Sequence, residues 1–154
     1  MTIRSNDALE LWKLKHQELV QQLTPQPGEP EEKLELARRN LGRAERALAD
    51  ADPDQALISA EAAMVNAADA ILARHGVRLR GKTGAHEARF DCPMLPPAFG
   101  EEARLISAAR SRRNVALYDH VDSVPVALAT AVAAAAKRLV DAVAAALSET
   151  HPPG

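Results

Sequence analysis

The residues of this chain best suited to chemistry lie together at Arg110-Ser111-Arg112-Arg113-Asn114-Val115-Ala116-Leu117-Tyr118-Asp119-His120. Within about three helical turns they gather three guanidinium groups, an amide, a phenol and an imidazole. Guanidinium groups grip phosphate oxygens through paired donors, and an imidazole exchanges protons near neutral pH. The set is therefore suited to binding and cleaving a phosphodiester. On a straight helix Arg113 and His120, seven apart, project from nearly the same face about 10 Å from one another. Asn114 and Tyr118, four apart, form a second stripe with Arg110 preceding them. Unwinding after Leu117, or a second protomer supplying half of the site, lets these groups converge.

A further basic set precedes this stretch. The formal net charge of -2 hides an asymmetry along the chain: Glu29, Glu31, Glu32, Glu35, Asp50, Asp52 and Asp54 crowd the first half, whereas Arg74, Arg78, Arg80, Lys82 and Arg89 accumulate in the middle. Arg104, Arg110, Arg112 and Arg113 follow them. A polyanion such as RNA can be met locally by these cations despite the acidic total, with Arg78, Arg80, Lys82, Arg110, Arg112 and His86 as candidate contacts. Charge alone fits the plainer account better, in which they are solvated surface groups or partners of the acidic half.

The elements that must position these groups read as helices. Leu9, Trp12, His16, Leu19 and Leu23 recur at helical spacing, predicting a first helix over Asn6 to Leu23, before Pro25-Gln26-Pro27-Gly28. Leu34, Ala37, Leu41, Ala44 and Leu48 line a second that starts near Pro30 with an acidic first turn and carries Gly42 inside it. For the third, Asp52 is a cap, Pro53 fits the first helical position, Gln55 completes a capping box, and Gly76 is the stop. Its apolar residues form two heptad rows, Leu57, Met64 and Ile71 beside Ile58, Val65 and Leu72, a face broad enough for the centre of a bundle.

From Gly76 to Gly100, Gly and Pro residues interrupt a basic segment with a short helix expected around Ala85 to Phe90. Glu101 to about His120 reads as the next helix, with Leu105, Ile106, Ala109, Ala116 and Leu117 inward. Ser123 or Asp122 is the expected cap of a last helix striped by Leu128, Val132, Ala135, Leu139, Val143 and Leu147. No strand of convincing alternation is present, so the expected fold is all-α, with five long helices and room for a sixth.

Composition sets further bounds. The 154 residues suffice for one domain with a core of its own, taken here as 1–154 with an extra N-terminal helix over 6–23 and a bundle over 30–147. With 47% hydrophobic but only 3% aromatic residues, that core is aliphatic. The single cysteine, Cys92, excludes an internal disulfide and a multi-cysteine zinc site; it is expected to be inert, and a reducing cytoplasm is the natural location. His16, on the apolar stripe beside Trp12, reads as structural. No signal-peptide order is seen at the N-terminus, and the apolar run from Val124 to Ala136 is too short to cross a bilayer. Walker and Rossmann loops and zinc-protease spacing are absent, so no cofactor or metal is expected.

Two local features resemble the HEPN superfamily of small all-α domains, which includes many metal-independent ribonucleases and toxin components. One is Arg113-Asn114 with His120, six residues standing between the arginine and the histidine; the other is a long helix ending at Gly76, a basic segment with Arg78 and His86, and later Arg113-x4-Tyr118. The likeness covers roughly Pro30 to Leu147. It implies an antiparallel helical bundle, a site shared across a homodimer, and cleavage of RNA without metal. On that implication Arg113 stabilises the scissile phosphate, His120 is the general base or acid, Asn114 positions phosphate or ribose, and Tyr118 donates to a phosphate oxygen or orients the base. A nucleotidyltransferase-type antitoxin is the implied partner, with Tyr118 a point of nucleotide modification.

The chain departs from the toxin pattern Arg-Asn-x3-His-x-Tyr in one respect, since Tyr118 and His120 are exchanged. Three readings therefore stand: a metal-independent endoribonuclease of a toxin or defence module, a catalytically silent HEPN-like module that binds a nucleotide, a nucleic acid or a partner protein, and a plain helical adaptor whose Ala-rich last helix mediates association.

Overall fold

The computed structural model describes residues 5–102, 105, 108, 109, 111 and 124–149. Its architecture is an all-α bundle carrying one short two-stranded ribbon. In chain order the elements are α1 (Ser5–Lys15), β1 (Val20–Gln22), α2 (Glu29–Ala49), α3 (Pro53–Arg74), β2 (Val77–Leu79), α4 (Ala85–Phe90) and α5 (Val126–Ser148). Helical backbone is also present at 98–102, 105, 108, 109 and 111. Helix α3 packs against both α2 and α5, which also touch each other, so three long helices enclose the core.

The position of α3 follows from its side chains. Ala56, Leu57, Ala60, Ala63, Met64, Ala67, Ala68 and Ala70 are all fully buried. Small side chains on several sides let neighbouring helices approach closely, while Leu57, Met64 and Ile71 fill the interior between them. The second heptad row behaves differently, with Ile58 at 40% exposure and Leu72 at 1%. This row thus turns from solvent into the core along the helix. Among the described residues α3 alone is long and apolar enough to cross a membrane, and most of that apolar stretch is buried inside the bundle.

Local chemistry fixes the ends of α3. The Asp52 carboxylate accepts from the Gln55 backbone N–H at 3.2 Å, and Pro53 opens the first turn. The reciprocal half of the expected capping box is not formed. The Gln55 amide donates instead to Ser59 Oγ at 3.0 Å, and the Asp52 N–H donates to the Ala47 carbonyl at 2.8 Å, closing the link from α2. At the other end Gly76 takes the left-handed conformation expected of a helix stop, with φ of 71°.

Two expectations are corrected at the N-terminal segment. Helix α1 ends at Lys15 and does not run to Leu23, and there is a sheet. Residues 20–22 pair antiparallel with 77–79, Val20 opposite Leu79 and Gln22 opposite Val77. Leu23 N–H to Gly76 O at 2.6 Å and Arg80 N–H to Leu19 O at 2.8 Å extend the pairing. Three-residue strands carry too little alternation to be read from sequence, and backbone pairing with a distant segment overrides the helical spacing of Leu19 and Leu23. Inside the shortened α1, Leu9 and Trp12 are buried, and Trp12 Nε1 donates to the Ala88 carbonyl of α4 at 2.9 Å.

The last helix is corrected at its start. Pro125, extended at ψ of 141°, occupies the N-cap position before Val126, which neither Asp122 nor Ser123 therefore does. Its stripe is as expected, with Val132, Ala135, Leu139 and Val143 buried and Leu128 and Leu147 partly so. Arg138 of α5 donates through Nε and Nη2, at 2.9 and 2.8 Å, to the buried Glu102 carboxylate, which ties residues 98–102 to the bundle. Of the next expected helix, Ala109 is buried and Leu105 half-buried, while Ile106, Ala116 and Leu117 lie outside the described residues.

Two glycines should respond oppositely to alanine. A Cβ at Gly42, inside α2, meets only the end of the Arg46 side chain at 3.4 Å, so Gly42→Ala is expected to stabilise by about 0.5–1 kcal/mol. A Cβ at Gly76 runs into the Leu23 carbonyl oxygen and its φ is left-handed, so Gly76→Ala is expected to cost about 2–3 kcal/mol. Urea midpoints at unchanged slope measure both.

Candidate functional site

Of the residues singled out for chemistry, Arg110, Arg112, Arg113, Asn114, Tyr118 and His120 lie outside the described residues. The structure does place the basic segment that follows α3, and it divides the expected set. Arg78 on β2 pairs through Nη2 with Glu29 at 3.2 Å, at the start of α2. Arg80 donates to the Glu18 carbonyl at 3.4 Å, a contact that leaves its charge uncompensated by any carboxylate among the described residues. Lys82 has no ion-pair partner among the described residues and lies in the loop beyond the ribbon. His86 sits on α4, half-buried, with its ring 4.8 Å from that of Phe90.

The ribbon separates two cavities. The smaller, about 210 Å³, is lined by Glu29, Lys33, Asp69, Arg78 and Arg89 among others. Two of its three cations are compensated: besides Arg78 with Glu29, Arg89 Nε donates to Asp69 Oδ1 at 2.8 Å in a largely buried pair, while Lys33 has no ion-pair partner among the described residues. The larger is a cleft of about 700 Å³ between the residues that follow α1 and the loop after β2, lined by Lys15, His16, Glu18, Leu19, Lys82 and Thr83 with Gln17 and Gly81. That volume falls in the range of small-molecule sites.

One carboxylate organises the α1 side of this cleft. Asp91, just after α4, accepts from Lys15 Nζ at 3.2 Å, and its Oδ2 lies 3.0 Å from His16 Nε2. A carboxylate only accepts, so the shared proton belongs on His16 Nε2. The imidazole also lies against Trp12, with ring centroids 5.8 Å apart. Burial opposes ionisation of Asp91, but the hydrogen bonds and charges of His16 and Lys15 outweigh it and hold the carboxyl below its usual value. His16, expected to be structural from the sequence, is thus both packed on Trp12 and at the wall of this cleft. Its partner lies 75 residues away in sequence, which no spacing argument reaches.

Other titratable groups complete the description. Burial raises the Cys92 thiol, with the Asp91 charge acting the same way, so it stays protonated at neutral pH, as expected of an unreactive cysteine. Burial, followed by the charges of Arg74 and Lys13, lowers His75 at the end of α3. Glu61 on α3 and Glu102 are buried acids that the sequence reading missed; burial at a helical position is not visible from residue type. Among the described residues no group of three His, Cys, Asp or Glu side chains could hold a metal ion.

These shifts predict two acid transitions in stability. With His75 half-buried and neutral, the protein loses stability as pH falls below about 6.5, where the unfolded chain takes up the proton first. The Asp91 contribution is complete above about pH 4 and is lost as pH falls further through its lowered value. Urea unfolding at several pH values should therefore show a shallower decline between neutral and mildly acidic pH for His75→Gln. For Asp91→Asn the deficit relative to wild type should be present at pH 5 to 6 and shrink below about pH 4. Comparisons with protein-family models, with curated proteins and with solved structures found no match to this chain.

Proposed function

We propose that this chain is a HEPN-like, metal-independent endoribonuclease that serves as the toxin or defence component of a two-protein module. One observation carries the reading: Arg113-Asn114 precedes His120 by the spacing of that family's signature, in a chain whose fold is an all-α bundle. The proposed reaction is attack of a ribose 2'-oxygen on the adjacent phosphorus. The new 2'-O–P bond forms as the P–O5' bond breaks, leaving a 2',3'-cyclic phosphate and a 5'-hydroxyl. His120 takes the 2'-hydroxyl proton, and an imidazole of the second protomer returns one to the leaving oxygen. Arg113 balances the charge that grows on the phosphoryl oxygens, Asn114 orients phosphate or ribose, and Tyr118 donates to a phosphate oxygen. Arg110, Arg112, Arg78, Arg80, Lys82 and His86 are the proposed contacts to the rest of the RNA. The working form is proposed as a cytoplasmic homodimer controlled by a nucleotidyltransferase-type antitoxin.

The exchange of Tyr118 and His120 relative to Arg-Asn-x3-His-x-Tyr favours a second reading, a silent module of the same kind that binds nucleotide, nucleic acid or partner without cleaving. One experiment separates the two. Purified protein is incubated with mixed RNA in EDTA, comparing wild type with Arg113→Ala and His120→Ala, all checked for helicity by circular dichroism. The nuclease reading expects cleavage by wild type and a loss of at least about 100-fold in each variant. Absence of cleavage by wild type removes the nuclease reading and leaves the binding module.

A further inference from the structure

The cleft between α1 and the loop after β2 carries a lysine on each wall. In the smaller cavity Arg78 and Arg89 each face a carboxylate. In the larger, Lys15 and His16 share Asp91, but Lys82 on the opposite wall has no ion-pair partner among the described residues. Arg80 beside it donates only to a carbonyl. Of the residues that line the cleft, Lys15 and Lys82 are cations and Glu18 is an acid, with Asp91 engaging Lys15 and His16 from beside it. Thr83 adds a hydroxyl able to donate.

We propose that this cleft binds a phosphate group, held by Lys82 and Lys15 across it, with the Thr83 hydroxyl as a further donor. The proposal deepens the RNA reading and rests on it only for the source of the phosphate, which is either the backbone of bound RNA or a free nucleotide. Asp91 is the positioning residue: it fixes Lys15 and His16 on one wall while the ribbon, through Arg80 N–H to Leu19 O, sets the distance to the other. Glu18 is the opposing charge, and it gives the proposal a signed test.

Binding is measured by fluorescence anisotropy in EDTA with a 2'-O-methyl oligonucleotide, which cannot be cleaved by its own 2'-oxygen, and by competition with inorganic phosphate and adenosine monophosphate. Lys82→Ala and Lys15→Ala are each expected to weaken binding about five- to tenfold and to flatten its salt dependence by roughly one phosphate contact. Glu18→Gln is expected to tighten it several-fold. Binding of the oligonucleotide with these signs assigns the phosphate to RNA; binding of the small anions alone, with the same signs, assigns it to a free nucleotide. No binding of either probe by wild type, or affinities unmoved by Lys82→Ala and Glu18→Gln, overturns the proposal. RNA cleavage that persists in Lys82→Ala with unmoved affinity would remove the cleft and keep the nuclease; signed binding without cleavage would do the reverse.

Discussion

The rest of this structure depends on the close burial of α3. A helix whose alanines are buried on several sides has little large side-chain surface to hold neighbours at a distance, and it must be enclosed to be stable in water. Helices α2 and α5 do this, and the short link at Asp50–Asp52 makes α2 and α3 an antiparallel hairpin. Ala51 accepts φ of 56° within that link, an uncommon conformation for a residue with a side chain, tolerated because the flanking helices are already fixed by packing. With so few aromatics, specificity comes from matching small and branched aliphatic side chains across these interfaces, and Leu57 and Met64 of α3 share one core with Leu139 and Val143 of α5.

The N-terminal segment is held by a different kind of interaction. Helix α1 buries only Leu9 and Trp12 deeply, so its place is set by polar bonds of specific geometry: the Trp12 indole to the Ala88 carbonyl, Lys15 and His16 to Asp91, and the ribbon. A buried indole N–H without an acceptor carries a desolvation cost, which makes the Ala88 contact directional as well as adhesive. These bonds attach α1 and the basic segment to each other, and the cleft is the space left between them. Gly76 is the point at which both constraints meet, since it ends α3 and lets the backbone of residue 23 come close enough to pair.

Charge placement follows the same division. Arg78, Arg89 and Arg138 each meet a carboxylate from another element, which limits the field they project. Lys82 and Arg80 differ because the ribbon carries them away from the acidic start of α2, where Glu29 engages Arg78.

The sequence by itself determined helices α2, α3 and α5 and most of the face that each buries. Periodicity is a local property, and residues such as Leu34, Ala37, Ala44, Met64, Ile71, Val132 and Leu139 carry it without reference to the rest of the chain. Asp52, Pro53 and Gly76 marked the ends of α3 for the same reason, since capping bonds span three or four residues. The chemical groups of the Arg110 to His120 stretch are likewise legible as residue types and spacing. Only the tertiary structure decided where helix α1 ends, that residues 20–22 and 77–79 form a ribbon, and that His16 and Lys15 share Asp91. It also decided which cations stay uncompensated, separating Lys82 from Arg78 although only three residues lie between them in sequence. Each of these rests on contacts between segments dozens of residues apart, whose energies depend on three-dimensional distance and leave no periodic trace in the chain.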